Sequence, residues 1–128
     1  MNKLISDLLS ACLVASLMFG LPALSWAGPV DWVEVPQTEA GQQWWDRGSV
    51  REEASGVRSV LSRFTPAEIE GQPPSRGSLY VMQIDCAQEL YRDKQVNGIP
   101  RFRADWEPAG ADGLIDSVIQ AVCALPLS

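Results

Sequence analysis

Histidine is absent from the 128-residue sequence, and cysteine occurs only three times. The lack of histidine removes the commonest general base and the commonest metal ligand of proteins. The chain also lacks a glycine-rich phosphate-binding loop and the Gly-x-Ser-x-Gly turn that presents the nucleophile of many hydrolases. The usual nucleotide-binding and serine-hydrolase chemistries are therefore excluded, and carboxylates remain as the candidate catalytic groups.

Positive charge is also scarce, with 10 basic against 16 acidic residues and a formal net charge of −6. A protein that binds DNA or RNA needs a basic surface patch, so a nucleic-acid partner is not expected. The negative charge favours solubility and is compatible with a cationic partner, but acidic exported proteins are common, so solubility alone is the preferred interpretation.

Two pairs of carboxylates are candidates for an acid–base pair or a Ca²⁺ site: Glu52 with Glu53, and Asp105 with Glu107. Both pairs lie in segments whose pattern is typical of exposed strands and turns. Ordinary solvated surface charge explains them without a site. We therefore predict no catalytic residue, no metal site and no cofactor.

Residues 1–27 have the organisation of a secretory signal peptide. Lys3 supplies the positive charge, residues 8–24 form the apolar segment, and a small-x-small cleavage site ends at Ala27. A lipoprotein-like box ends at Cys12, but processing there would leave an apolar tail on the mature chain. A transmembrane helix is a weaker interpretation than a signal peptide, because glycine and proline interrupt the apolar segment. We expect an exported protein that is periplasmic, cell-surface or extracellular, with no membrane span after cleavage.

Two segments of the chain show the clearest periodicity. Residues 79–86 alternate as a strand does, and the more apolar face carries Tyr80, Met82, Ile84 and Cys86. Residues 112–125 instead show one apolar helical stripe, with Asp112 as a plausible N-cap and Pro126 as a stop. The residues of that stripe are Leu114, Ile115, Val118, Ile119, Val122 and Cys123.

Cys86 and Cys123 thus lie on the apolar faces of a strand and a helix. A disulfide between them would tie the helix to the sheet, and two buried free thiols are the alternative. Because disulfides form and persist in exported proteins, we favour the bridge.

The remaining pattern predicts an α+β fold in a single domain of residues 28–128. Further strands are expected over residues 30–35, 42–46, 50–53, 57–64 and 101–107, with Arg58 and Arg63 reaching solvent. Residues 87–92 are expected to be extended, either as the same strand bent at Cys86 or as its neighbour, and Asn97-Gly98 predicts a hairpin turn. Residues 65–78 are rich in proline and glycine, so we expect a loop with at most one helical turn from Thr65. The expected architecture is an antiparallel sheet of about five to six strands with the C-terminal helix packed on one face.

Adjacent tryptophans occur at Trp44 and Trp45, within a predicted strand. Neighbouring side chains of a strand point to opposite faces, so one indole should be in the core and the other at the surface. The helix can cover only one sheet face, and the other face is then solvated, paired with a second copy in a homodimer, or used for binding. Trp44 and Trp45 are therefore the candidate contacts for an unidentified protein partner.

Several short motifs occur in order along residues 28–128. They are Trp32 in DWVEV, the segment WDRGSVR at residues 45–51, IDC at residues 84–86, YR at residues 91–92, WEP at residues 106–108 and VC at residues 122–123. Together they resemble the surface-adhesin protein E family of small exported bacterial proteins. The resemblance implies a curved antiparallel sheet with the C-terminal helix tethered by a disulfide to the concave face. It also implies a non-enzymatic surface protein that binds host extracellular proteins.

Two departures limit what the resemblance implies. The pathogen member for which the family is named is lipid-anchored, whereas this chain has no convincing lipobox. The host-binding segment of that member is not recognisable here, so no binding residues carry over. We therefore predict an exported, non-enzymatic binding or adhesion-type module. The alternatives are a structural or accessory subunit of an envelope complex and, third, a carboxylate-based hydrolase.

Overall fold

The computed structural model describes residues 29–127. The predicted signal peptide, residues 1–27 with Cys12, lies outside the described residues, as does its cleavage site. Residues 29–127 form an antiparallel sheet of eight strands, a short 3-10 helix at Arg47–Ser49 and one α-helix. In chain order the elements are β1 (Trp32–Glu34), β2 (Gly41–Asp46), β3 (Arg51–Ala54), β4 (Val57–Pro66), β5 (Ser78–Asp85), β6 (Leu90–Val96), β7 (Ile99–Pro100), β8 (Glu107–Pro108) and α1 (Gly113–Ala124).

The order of strands across the sheet is β1-β2-β4-β5-β6-β7, while β3 pairs with β4 and β8 pairs with β6. The longest pairing joins β4 to β5, from Val57 opposite Asp85 to Phe64 opposite Ser78. Residues directly opposite one another share a face of the sheet. This register therefore places Val60 beside Met82 on one face and Arg63 beside Leu79 on the other.

The expected five to six strands were too few, because the sheet has eight. The additional strands β7 and β8 have two residues each and pair with opposite ends of β6. Two residues are too few to show a periodicity, so pairing with β6 alone defines these strands. The predicted strand over residues 101–107 is wrong, because only Glu107 of this range lies in a strand. Residues 101–106 connect β7 to β8 as a loop, in which Phe102 is 88% exposed.

The helical turn expected at Thr65 is also wrong. Thr65 and Pro66 continue β4 and lie opposite Gln42 and Gly41 of β2. Pairing with β2 holds this backbone extended, which outweighs the local capping pattern. Gly41 adopts φ +142°, and a Cβ at this position would overlap the Thr65 carbonyl oxygen, so this crossing requires glycine.

Helix α1 covers one face of the sheet, as the periodicity predicted. Asp112 caps the helix, its carboxylate accepting a hydrogen bond from the Ile115 N–H at 3.0 Å. The apolar stripe of the helix meets the apolar strand face that includes Met82 and Ile84. The buried core consists of Val35, Trp45, Val50, Val60, Met82, Ile84, Leu114, Val118, Ile119 and Val122.

Two links hold the C-terminal end of α1 to the sheet. The Cys86–Cys123 disulfide is present, as predicted, with 5.6 Å between the two Cα atoms. Arg58 supplies the other link, because its Nη1 donates to the carbonyl oxygens of Val122 at 2.6 Å and Leu125 at 2.7 Å. The last carbonyls of a helix have no partner within the helix and carry partial negative charge, so a guanidinium stabilises them.

Candidate functional site

The two faces of the sheet have different surroundings. Helix α1 covers the inner face, where Val60, Met82 and Ile84 are buried. We call the opposite side the outer face; it carries Trp32, Trp44, Arg63, Leu79 and Arg92. No helix of the described residues covers the outer face, so a partner can dock on it.

The two adjacent tryptophans are divided between these faces. Trp45 points to the inner face, where it is 5% exposed and belongs to the core. Trp44 points to the outer face and is partly buried. Trp45 cannot contact a partner in the folded chain, so of the two predicted contact residues only Trp44 remains a candidate.

An indole–arginine cluster surrounds Trp44 on the outer face. Arg63 lies directly opposite Trp44 in the β2–β4 pairing, and its guanidinium carbon is 4.3 Å from the centroid of the Trp44 ring. The same carbon lies 5.0 Å from the ring of Trp32 in β1. Both distances are within the range of a cation–π interaction. Arg63 therefore does not extend freely into solvent, as the sequence had suggested, but stacks on two indoles.

A groove of about 360 Å³ adjoins this cluster. Its lining includes Trp32, Arg63, Arg76, Leu79 and Asn97. Among residues 29–127, neither Arg63 nor Arg76 forms a salt bridge, and the buried Nε of Arg63 has no hydrogen-bond acceptor. Two arginines without a carboxylate partner among the described residues therefore line this groove together with Trp32, on a chain whose net charge is −6.

A second stacked pair lies elsewhere on the outer face. The guanidinium carbon of Arg92 is 4.2 Å from the Trp106 ring, and Arg92 Nε donates to Gln83 Oε1 at 2.8 Å. Gln83 Nε2 in turn donates to the carboxylate of Glu53. Glu53, one of the carboxylates considered for catalysis, is therefore part of a hydrogen-bond network that joins β3, β5 and β6.

The segment WDRGSVR has a structural role in this fold. The carboxylate of Asp46 accepts hydrogen bonds from the N–H groups of Asp31 at 2.8 Å and Gly48 at 3.0 Å. Ser49 Oγ donates to the Asp46 carbonyl oxygen at 2.8 Å and accepts from the Leu61 N–H at 2.8 Å. These bonds form the corner between β2 and β3. The motif therefore identifies the fold and not a binding site.

A smaller cavity of about 180 Å³ lies on the inner face, near the N-terminus of α1. Its lining is mainly apolar but includes Asp93 and Asp112. Burial raises the pKa of Asp93, with Arg101 acting to lower it and Glu107 to raise it. Asp112 is already engaged as the N-cap of α1. The cavity therefore contains one carboxyl group with a raised pKa, that of Asp93, and one that caps the helix, that of Asp112.

Two further observations concern residues 29–127. No three acidic or cysteine side chains in this range lie close enough together to hold a metal ion. No helix in the same range has the length and apolar character needed to cross a membrane.

No curated protein and no solved structure matches this chain. A family model described as the surface adhesin-E family matches residues 33–127, which include β2 to β8, α1 and both bridged cysteines. The disulfide and the family together indicate an exported, adhesion-type surface protein, and this chain belongs to the surface adhesin-E family.

Proposed function

We propose that this chain is a non-enzymatic adhesion module at or outside the cell envelope, and that it binds a protein partner through its outer face. The observation that carries the proposal is the cluster of Trp32, Trp44 and Arg63 on the face that α1 leaves uncovered. Membership of the surface adhesin-E family supports a binding role.

The chemistry of the cluster suits a protein interface. Tryptophan and arginine are enriched among the few residues that contribute most of the binding free energy of protein–protein interfaces. Stacking on two indoles restricts the Arg63 side chain before a partner arrives, so less side-chain entropy is lost on binding. The exposed Leu79 beside the cluster adds apolar surface.

The other two functions have less support from the described residues. A structural or accessory subunit of an envelope complex would use the same outer face, either in a homodimer or against a different subunit. A carboxylate-based hydrolase would need two cooperating acids, and the inner cavity combines Asp93 with an aspartate that caps a helix.

Capture experiments with the Trp44→Ala variant test the proposal. The natively exported chain should retain a protein from envelope extract or culture medium, identified by mass spectrometry, and Trp44→Ala should retain much less. Trp106→Ala is the matched control, because it removes an indole stacked on a different arginine of the same face. Equal capture by wild type and Trp44→Ala would contradict the proposed contact. Loss of self-association in Trp44→Ala, measured by light scattering, would instead identify a homodimer.

We also propose export by the signal peptide, with cleavage after Ala27. The expected N-terminal residue of the secreted form is Gly28, as determined by Edman sequencing or by intact mass. A mature chain beginning at a lipid-modified Cys12 would contradict the proposal and would place the protein on a membrane anchor.

A further inference from the structure

We propose that the groove lined by Trp32, Arg63, Arg76 and Leu79 binds a carboxylate side chain of an acidic segment in a polypeptide partner. This inference rests on the proposed function, and it adds the chemical class of the group that is recognised. Its basis is the charge and shape of the groove.

The two arginines of the groove can each bind an anionic oxygen. Within the described residues neither guanidinium has a carboxylate partner, and the Nε of Arg63 is buried without an acceptor. The buried Nε is not accessible from the groove, so a ligand oxygen has to accept from the Nη groups of Arg63, which form no hydrogen bond within the described residues. Planar guanidinium groups match the geometry of carboxylates, with which they form paired, charge-assisted hydrogen bonds.

Arg63 is held in place by the two indoles. Its guanidinium is held 4.3 Å from the Trp44 ring and 5.0 Å from the Trp32 ring, so its orientation is largely set in the free chain. Arg76 also lines the groove and is exposed, in the segment just before β5. The two cations thus differ: Arg63 is preoriented by the indoles, whereas Arg76 is an exposed side chain without a carboxylate partner among the described residues.

The charge of the chain favours a peptide over an acidic polysaccharide as the source of the carboxylate. A long polyanion would extend beyond the groove over a chain of net charge −6, and the surrounding negative charge would repel it. A single carboxylate within a peptide of mixed composition needs only the local cations, because charges further away than about 8–10 Å are screened at physiological salt. Leu79, 44% exposed, provides an apolar contact for a neighbouring residue of the peptide.

Calorimetric titration of the natively exported chain with matched peptides tests the inference. The probes are acetyl-GELEG-amide, its neutral counterpart acetyl-GQLQG-amide, and a hyaluronan tetrasaccharide as an alternative source of carboxylates. We expect the acidic peptide to bind, the neutral peptide to bind at least about tenfold more weakly, and added salt to weaken binding. The indole N–H resonances of Trp32 and Trp44 should shift on binding, which locates the site.

Charge-removing variants complete the test. Arg76→Gln should weaken acidic-peptide binding about tenfold or more and leave stability unchanged, because this side chain is exposed. Arg63→Gln should weaken it as well. Arg103→Gln makes the same charge change at an exposed arginine that does not line the groove, and it should leave binding unchanged.

Three results would overturn the inference: equal binding of the two peptides, insensitivity of binding to Arg76→Gln, or binding of the tetrasaccharide alone. The proposed function fails separately. If the chain captures a protein through Trp44 but Arg76→Gln has no effect on that capture, the adhesion role stands and the carboxylate site is wrong. If the acidic peptide binds but no partner depends on Trp44, the carboxylate site stands and the adhesion role is wrong.

Discussion

Replacement of Cys123 with serine is expected to lower the free energy of unfolding by about 4 kcal/mol, within a usual range of about 2–5 kcal/mol. The bridge to Cys86 spans 37 residues, and its loss gives the unfolded chain more conformational freedom. Chemical denaturation, with circular dichroism as the signal, measures the change. A domain of this size buries only about two thirds of the surface that its unfolded chain exposes, and folded domains are stable by about 5–15 kcal/mol, so the loss is a large part of the total stability.

The remaining contacts of α1 determine how the variant fails. Leu114, Val118 and Ile119 still pack on the sheet, so we expect the C-terminal end of the helix to loosen first. Hydrogen exchange should be fastest near Val122 and slower around Leu114. Cys86→Ser is the matched control, because it removes the same bridge from the strand side and should give the same loss. Alkylation of either thiol in unreduced, natively exported protein would contradict the bridge.

Replacement of Trp45 with alanine is expected to destabilise the fold by about 3–5 kcal/mol, which is typical for removal of a large aromatic side chain from a core. Trp45 is 5% exposed and packs in the cluster formed by the inner sheet face and α1. The substitution leaves a cavity that the surrounding strands cannot fully close. The midpoint and slope of a denaturation curve measure the effect.

Two further variants define the reason for that loss. Trp44→Ala removes the same side chain one residue earlier, on the outer face, and should cost much less stability than Trp45→Ala, because the indole is only partly buried and loses its stacking on Arg63, while weakening partner capture. Trp45→Phe keeps most of the apolar volume and removes an indole N–H that has no acceptor among residues 29–127, so it should cost much less than alanine. If Trp44→Ala and Trp45→Ala unfold the domain equally, both indoles belong to the core and the outer-face site is wrong.

The arginines show why the candidate site was only partly predictable. Arg58 and Arg63 are separated by an odd number of positions in one strand, so their side chains point to opposite faces of the sheet. Only one of them can therefore lie on the face that the helix leaves uncovered. Parity alone therefore contained the information that one of them lies on the helix side. The alternation of side chains does not predict which groups each arginine contacts. Arg58 donates to the carbonyl oxygens of Val122 and Leu125, and Arg63 stacks on the indole of Trp32.

The sequence alone determined the local structure of this protein and much of its class. Alternation with period two predicted β1 and β5, the helical stripe predicted α1 with its Asp112 cap, and these patterns placed Cys86 and Cys123 on apolar faces of a strand and a helix. Such patterns are readable because each depends on residues a few positions apart, whose side chains the backbone geometry directs to one face.

Only the tertiary structure decided which of the two tryptophans is buried, that β7 and β8 complete the sheet, and that Arg63 lies between Trp32 and Trp44. Each of these depends on the lateral register between segments distant in sequence, and a shift of one residue would exchange the two faces of a strand. The groove with Arg76 has the same origin, since its lining comes from β1, β4, the segment before β5, the start of β5 and the turn after β6. Local periodicity carries no information about that register, so the site arises from packing.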